Sequence, residues 1–277
     1  MISIHRLTYP ARIALCFIGA GIWVTVASAQ TIVSINWGTG AQGITGNSNV
    51  STAGTLVQAS NLGGGSVSSA TVNGVTFSSA PVTDNVASMS VGAFTLSESP
   101  STLRSLGGAS SANAPFSALS SDYQALLIEG ASTYLPEGAN TVRLTMPALT
   151  LGNVYLFQWW SSEYAGHESG STRTAATGGI SLTANTANVN GGLGEYGIGT
   201  FTASAASMYL AFDAVDAGQL PLINAFQLRD VTAVPEPSTY ALGAGLGALA
   251  LAVWRRRVGC LARHATIPAP APSSRSG

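Results

Sequence analysis

Glu163-Tyr164-Ala165-Gly166-His167-Glu168 is the densest group of potentially reactive side chains in the middle of this 277-residue chain. A histidine between carboxylates suits a metal site or general acid–base chemistry. His167 stands alone, however. The other histidines, His5 and His264, lie near the two ends, and no metallopeptidase spacing surrounds it. Gly166 and the Ser169-Gly170-Ser171 that follows read as a solvated loop. Both cysteines, Cys16 and Cys260, also lie near the ends, so residues 30–233 offer no thiol nucleophile and no disulfide. A Ser-His-Asp triad would have to recruit His167, and no G-x-S-x-G turn occurs. Any two of the acids could converge for glycoside hydrolysis, but nothing singles out a pair. The chain therefore reads as a protein that is not an enzyme, with an unrecognised glycoside hydrolase as an alternative.

Binding chemistry has more candidates. Trp37, Tyr155, Trp159, Trp160 and Tyr164 could stack on sugar rings. Alternation puts Tyr155, Phe157 and Trp159 on one face of a strand and Leu156, Gln158 and Trp160 on the other. One set must be core, and the other is a second packing layer or an exposed platform. Trp159 and Trp160 are the carbohydrate-binding candidates, weighed against the usual core role of strand aromatics. Asp84, Asn85, Asp213 and Asp216 offer oxygen ligands of the kind calcium takes, without EF-hand spacing. No metal site is assigned and no other cofactor is expected.

The elements that would position these residues are strands. The chain has no lysine, and 8% of its residues are charged. Between Gln30 and Ala233, four arginines (Arg104, Arg143, Arg173, Arg229) face eleven acids, a difference of −7. Such an acidic middle excludes the basic patch of a nucleic-acid binder. Apolar–polar alternation predicts strands at 32–37, 55–59, 70–77 (with a hairpin turn at Asn73-Gly74), 141–146, 153–160, 196–202, 207–213 and 222–231. Gly63-Gly64-Gly65 reads as a break, and 97–121 as a long loop with at most a helical turn. Asp122–Glu129 reads as a helix capped by Ser120 or Ser121. This pattern predicts an all-β fold, an antiparallel β-sandwich of jelly-roll type, over residues 30–233.

The two ends read as addresses. Residues 1–29 have a basic n-region (His5, Arg6, Arg12), an apolar run from Ile13 to Val26 and the small-residue site Ala27-Ser28-Ala29. They predict a signal peptide cut after Ala29, which would engage the Sec translocon and signal peptidase. An uncleaved anchor is the alternative. A lipidated Cys16 is disfavoured by Leu15 before it. At the other end, Pro235-Glu236-Pro237 precedes an uncharged stretch at 239–254, then Arg255-Arg256-Arg257. Those 16 residues span about 24 Å as a helix. That is short for a bilayer core, but Trp254 and the arginine stems extend it to the interface. The positive-inside rule places the arginines in the cytoplasm and the sandwich outside. Residues 258–277 read as a disordered Pro/Ala/Ser tail.

Pro-Glu-Pro, apolar helix and arginine cluster in this order resemble the PEP-CTERM sorting signal, here residues 234–257. The resemblance implies recognition of Pro235, Glu236, Pro237, Arg255, Arg256 and Arg257 by exosortase, a membrane transpeptidase-like enzyme. It also implies cutting near the motif and delivery to the cell surface or extracellular matrix of a Gram-negative bacterium that makes exopolysaccharide. The 20 residues after Arg257 depart from that pattern. The runs Ser51–Val57, Thr71–Phe77, Tyr123–Leu127 and Ile223–Leu228 are similar to jelly-roll ectodomains of such surface proteins, loosely akin to galactose-binding-like and carbohydrate-binding modules. A structural or interaction role in an exopolysaccharide-associated matrix is the expectation, with a carbohydrate-binding module as the alternative.

Overall fold

A computed structural model of the chain describes residues 30–99, 101–107, 115–133, 141–162, 174–178, 180–186, 192–215, 219–232, 248–249 and 251. The chain divides into two units, Met1–Gln30 and Thr31–Gly277, and the fold below belongs to the second. The expected signal peptide with Ala27 and Ala29, the residues Pro235–Pro237 and Arg255–Arg257, and the tail 258–277 lie outside the described residues. So does most of the 239–254 stretch, of which 248, 249 and 251 are helical. Among the described residues, no helix is long and apolar enough to cross a membrane.

Two sheets carry the fold. The first runs β13 (Leu182–Ala184), β12 (Thr174–Thr177), β15 (Met208–Ala214), β10 (Thr141–Met146), β7 (Phe94–Ser99), β6 (Ser88–Val91). On β15 it also carries the short β1 (Thr31–Ile32), in parallel. The second runs β2 (Gln42–Gly43), β14 (Glu195–Thr202), β11 (Val154–Ser161), β16 (Ala225–Asp230), β3 (Thr55–Gly63), β5 (Val75–Pro81), β4 (Ala70–Val72). A separate ribbon pairs β8 (Leu103–Gly107) with β9 (Glu129–Thr133), and the α-helix α1 spans Ser121–Leu127.

Between the sheets lies a core that includes Tyr155, Phe157 and Trp159 of β11, Met208, Leu210 and Phe212 of β15, and Phe94, Leu96 and Phe226. The second sheet is buried on its other face as well. There Trp160, Tyr196, Val72 and Phe77 meet Tyr123, Leu126 and Leu127 of α1, with Phe116 beside them. The architecture is therefore sheet on sheet on helix, built as packed layers around apolar faces. Ser120 caps α1, its hydroxyl accepting from the Tyr123 N–H at 3.3 Å.

The fold is all-β and mostly antiparallel, with two corrections to the expected purely antiparallel arrangement. The pairs β1–β15 and β3–β5 are parallel. The second follows from the hairpin. The chain leaves β3, skips one strand position to lay down β4 at the edge, and returns through Asn73 (φ 50°) and Gly74 (φ 74°) to fill the gap. Positive φ at both positions is the I′ turn that Asn-Gly favours.

Other expectations also shift. The expected break at Gly63-Gly64-Gly65 is present, since β3 ends at Gly63 and the chain turns after it, but Gly63 is also a close approach, where a Cβ would lie 2.6 Å from that of Glu129. The expected 97–121 loop holds the end of β7 and all of β8, whose Ser-rich composition hides a strand paired to β9. Glu129 opens β9 instead of closing the helix. The 32–37 strand is split between the sheets: Val33 N–H donates to Tyr209 O, whereas Asn36 pairs with Thr200. The segment thus closes one side of the sandwich.

Candidate functional site

The alternation along β11 holds, but both of its faces are covered. Trp159 and Trp160 are each 0% exposed. Trp159 lies edge-on to Phe212, with centroids 5.0 Å apart. Trp160 lies edge-on to Phe77 at 5.4 Å, and its Nε1–H donates to Tyr123 Oη at 2.9 Å. Burial drives the Tyr123 phenol well above its usual pKa, an effect partly offset by the Trp160 hydrogen bond. The expectation of Trp159 or Trp160 as a sugar platform is thereby corrected: α1 and the second core cover the face that alternation left open. Trp37 and Tyr155 are buried too, with Trp37 Nε1–H donating to Ile180 O at 2.8 Å and Tyr155 Oη accepting from Thr150 N–H at 2.9 Å.

The described acidic candidates, Asp84 and Asp213, are held apart by different partners. Asp84 accepts from the Ser105 N–H at 2.6 Å, on the β8 side. Asp213 accepts from the Thr141 and Thr177 hydroxyls and so ties β15 to its neighbours β10 and β12. Asp216, Tyr164, His167 and the carboxylates flanking that histidine lie outside the described residues. Among the described residues, no three His, Cys, Asp or Glu side chains come close enough together to hold a metal ion. Glu98 points into the inter-sheet space at the end of β7 and is 6% exposed. Burial raises its pKa, with the Ser101 backbone N–H pulling weakly the other way.

A polar ladder that sequence reading missed occupies the helix-side face of the second sheet. Gln158 of β11 donates to Asn49 O at 2.6 Å and accepts from Ser51 N–H at 3.0 Å. Gln227 of β16 donates to Ser51 O at 3.1 Å and to Gln158 Oε1 at 2.7 Å. Arg229, two residues on, donates to the carbonyls of Ala53 (2.6 Å), Thr52 (3.1 Å) and Gly54 (3.0 Å) and to Gln227 Oε1 (3.3 Å). Burial lowers the Arg229 pKa. Arg229 is thus engaged in fastening residues 52–54 to the sheet. The signal for it was the period-2 spacing of Gln227 and Arg229 inside an apolar strand.

Two surface hollows lie among the described residues. One, of about 330 Å³, is lined by Ser66, Ser68, Ser121, Gln124 and Glu129, whose carboxylate already accepts from Gly64 N–H and the Ser66 hydroxyl. The other, of about 450 Å³, is lined by Ser34, Asn36, Val154, Ile180, Thr200 and Thr202.

The last geometric feature is the exit of the chain. Val231 N–H donates to Val154 O, and Val154 N–H to Thr232 Oγ1, both at 2.9 Å. Asp230 accepts from Thr232 N–H at 2.9 Å and from Asn153 Nδ2 at 2.7 Å. The Thr232 hydrogen bonds, side-chain and backbone, hold the Asp230 carboxyl below its usual range. The fold is thus fastened as far as Thr232. The strand registers also put Thr31, beside Met208, and Thr232, beside Val154, at the same pole. Ser99, Thr141, Asp213, Ser161 and Thr174 lie at the opposite pole.

Residues 233–257, beginning directly after this clamp, match the PEP-CTERM protein-sorting motif. No curated protein matches the chain. A solved structure from work on the promiscuous specificity of carbohydrate-binding modules of the β-sandwich superfamily is similar at 13% identity, covering 60% of this chain and 72% of that one, with a TM-score of 0.24. That likeness is too loose to carry an argument. The motif implies export, exosortase processing and sorting to the cell surface.

Proposed function

We propose that this protein is an exported surface domain with a structural or interaction role, released from a membrane-held intermediate by exosortase. The observation that supports this most is the abutment of a sorting motif at 233–257 on a fold that is clamped to Thr232. A cut beyond the clamp leaves in place every strand found among the described residues. The reading includes a signal peptide removed after Ala29 by signal peptidase following Sec export. It also includes a membrane helix at 239–254, a Gram-negative host and residence in an exopolysaccharide-associated matrix. The finer jelly-roll, galactose-binding-like description of the sandwich belongs to the same proposal, as do the absence of enzymatic activity and of a required cofactor.

The test is mass spectrometry of the mature protein from exosortase-bearing cells. The expected species begins at Gln30 and lacks all peptides beyond the Pro-Glu-Pro region. Intact tail peptides carrying Arg255–Arg257 on the surface-exposed protein would overturn the sorting claim. A mass that still includes residues 1–29 would overturn the cleaved signal.

A further inference from the structure

Several large apolar side chains of the sandwich stay exposed among the described residues. Ile32, Leu56, Val57, Leu151 (69% exposed) and Ile180 (74% exposed) lie toward the pole where Thr31 and Thr232 emerge, and Val215, among the described residues, lies at the other. Leu56 pairs with Arg229 near the start of β3, Val57 follows it at the register shift, and Leu151 sits in the turn before β11. Ile180 lines the hollow that also contains Val154 and Thr202. The charged groups nearest this pole, Arg229 and Asp230, are held by their own loop and turn. Exposed apolar residues scattered singly need no explanation, but five on the pole of chain exit do.

The chain itself limits what can cover them. Residues 233–238, six in all, separate the clamp from the apolar stretch at 239–254. Fully extended, they reach about 20 Å. The eight-residue strand β11 is itself about 27 Å long. With the apolar stretch in a bilayer, the far pole cannot be turned onto the membrane, whereas the exit pole is held within a tether's length of it. So short a linker raises the local concentration of the surface to the point where weak apolar contacts count.

From this we infer that, while tethered, the domain rests with its exit pole on the lipid surface. Leu151, Ile180, Leu56 and Val57 enter the headgroup layer, and the pole bearing Ser99, Thr141 and Thr174 is presented outward. The inference rests on the membrane-anchored reading of 239–254, and its test separates the two. The full chain, with Cys16→Ser and Cys260→Ser, would carry one thiol dye at a time at Leu151→Cys, Ile180→Cys, Val215→Cys or Ala250→Cys. It would be reconstituted in phosphatidylethanolamine–phosphatidylglycerol vesicles containing nitroxide-labelled lipid. Expected is acyl-chain quenching of the 250 dye, with headgroup quenching of the 151 and 180 dyes several-fold stronger than that of the 215 dye. Leu151→Asp should then remove the excess quenching at 180.

A quenched 250 dye with 151 and 180 no more quenched than 215 overturns the docking alone. An unquenched 250 dye overturns the anchor and the docking with it. Equal shielding of 151 and 180 in detergent without lipid assigns the face to a second copy of the chain, and also overturns the docking.

Discussion

Glu98 shows how a single side chain can be at odds with the layer it occupies. It follows Phe94 and Leu96 on the inward face of β7 and continues their period into the core, where a carboxylate is costly to ionise. Its folded pKa is raised above the ordinary value of 4.5, with burial the leading cause. The folded state therefore holds the proton more tightly than the unfolded chain does. Stability falls as pH rises from about 4.5 through the raised folded value, then levels off. Glu98→Gln is expected to abolish that slope and to gain on the order of 1 kcal/mol at pH 7.5 over the parent. Urea melts at pH 4 and 7.5 check this; a Gln variant with the same offset from the parent at both pH values would refute it. Trp160 carries the complementary lesson. Its face was legible from alternation along β11, but its cover was not. That cover comes from Tyr123, 37 residues away in sequence, on a helix whose docking site no local pattern announces.

At the scale of elements, legibility followed the number of covered faces and the length of the strand. β10 was read at Thr141–Met146, its observed bounds, and β14, β15 and β11 within a residue or so, because each is long and alternates or is apolar throughout. The strands β6, β7, β8, β9, β12 and β13 were not read. Most of their residues are Ser, Thr, Gly and Ala, and β7, β8 and β12 pair with strands distant in sequence, which period counting does not see. The Gln158–Gln227–Arg229 ladder is another such long-range device: β16 holds a loop about 175 residues earlier. Arg229→Met is expected to cost roughly 3 kcal/mol, because the carbonyls of Thr52, Ala53 and Gly54 lose a charged donor. Amide exchange should speed up in residues 49–55 before it changes in β11. Uniform acceleration through the second sheet would show that the ladder supports the sheet instead of the loop.

The sandwich has two poles, set by where its strands begin and end. Exit and entry share one pole, so removal of either flanking segment takes nothing from the ladders. One consequence of the chain's exit concerns load. β16 ends at the clamp and is interior to its sheet, paired along its length with β11 on one side and β3 on the other. Drag on a cell-attached domain would enter at Thr232 and run along the axis of β16. It would therefore shear both ladders at once instead of peeling them bond by bond. Single-molecule pulling from residue 232 against the far pole should accordingly need a higher rupture force than pulling on the edge strand β4. Equal forces in the two directions would show that the position of the exit strand confers no mechanical advantage.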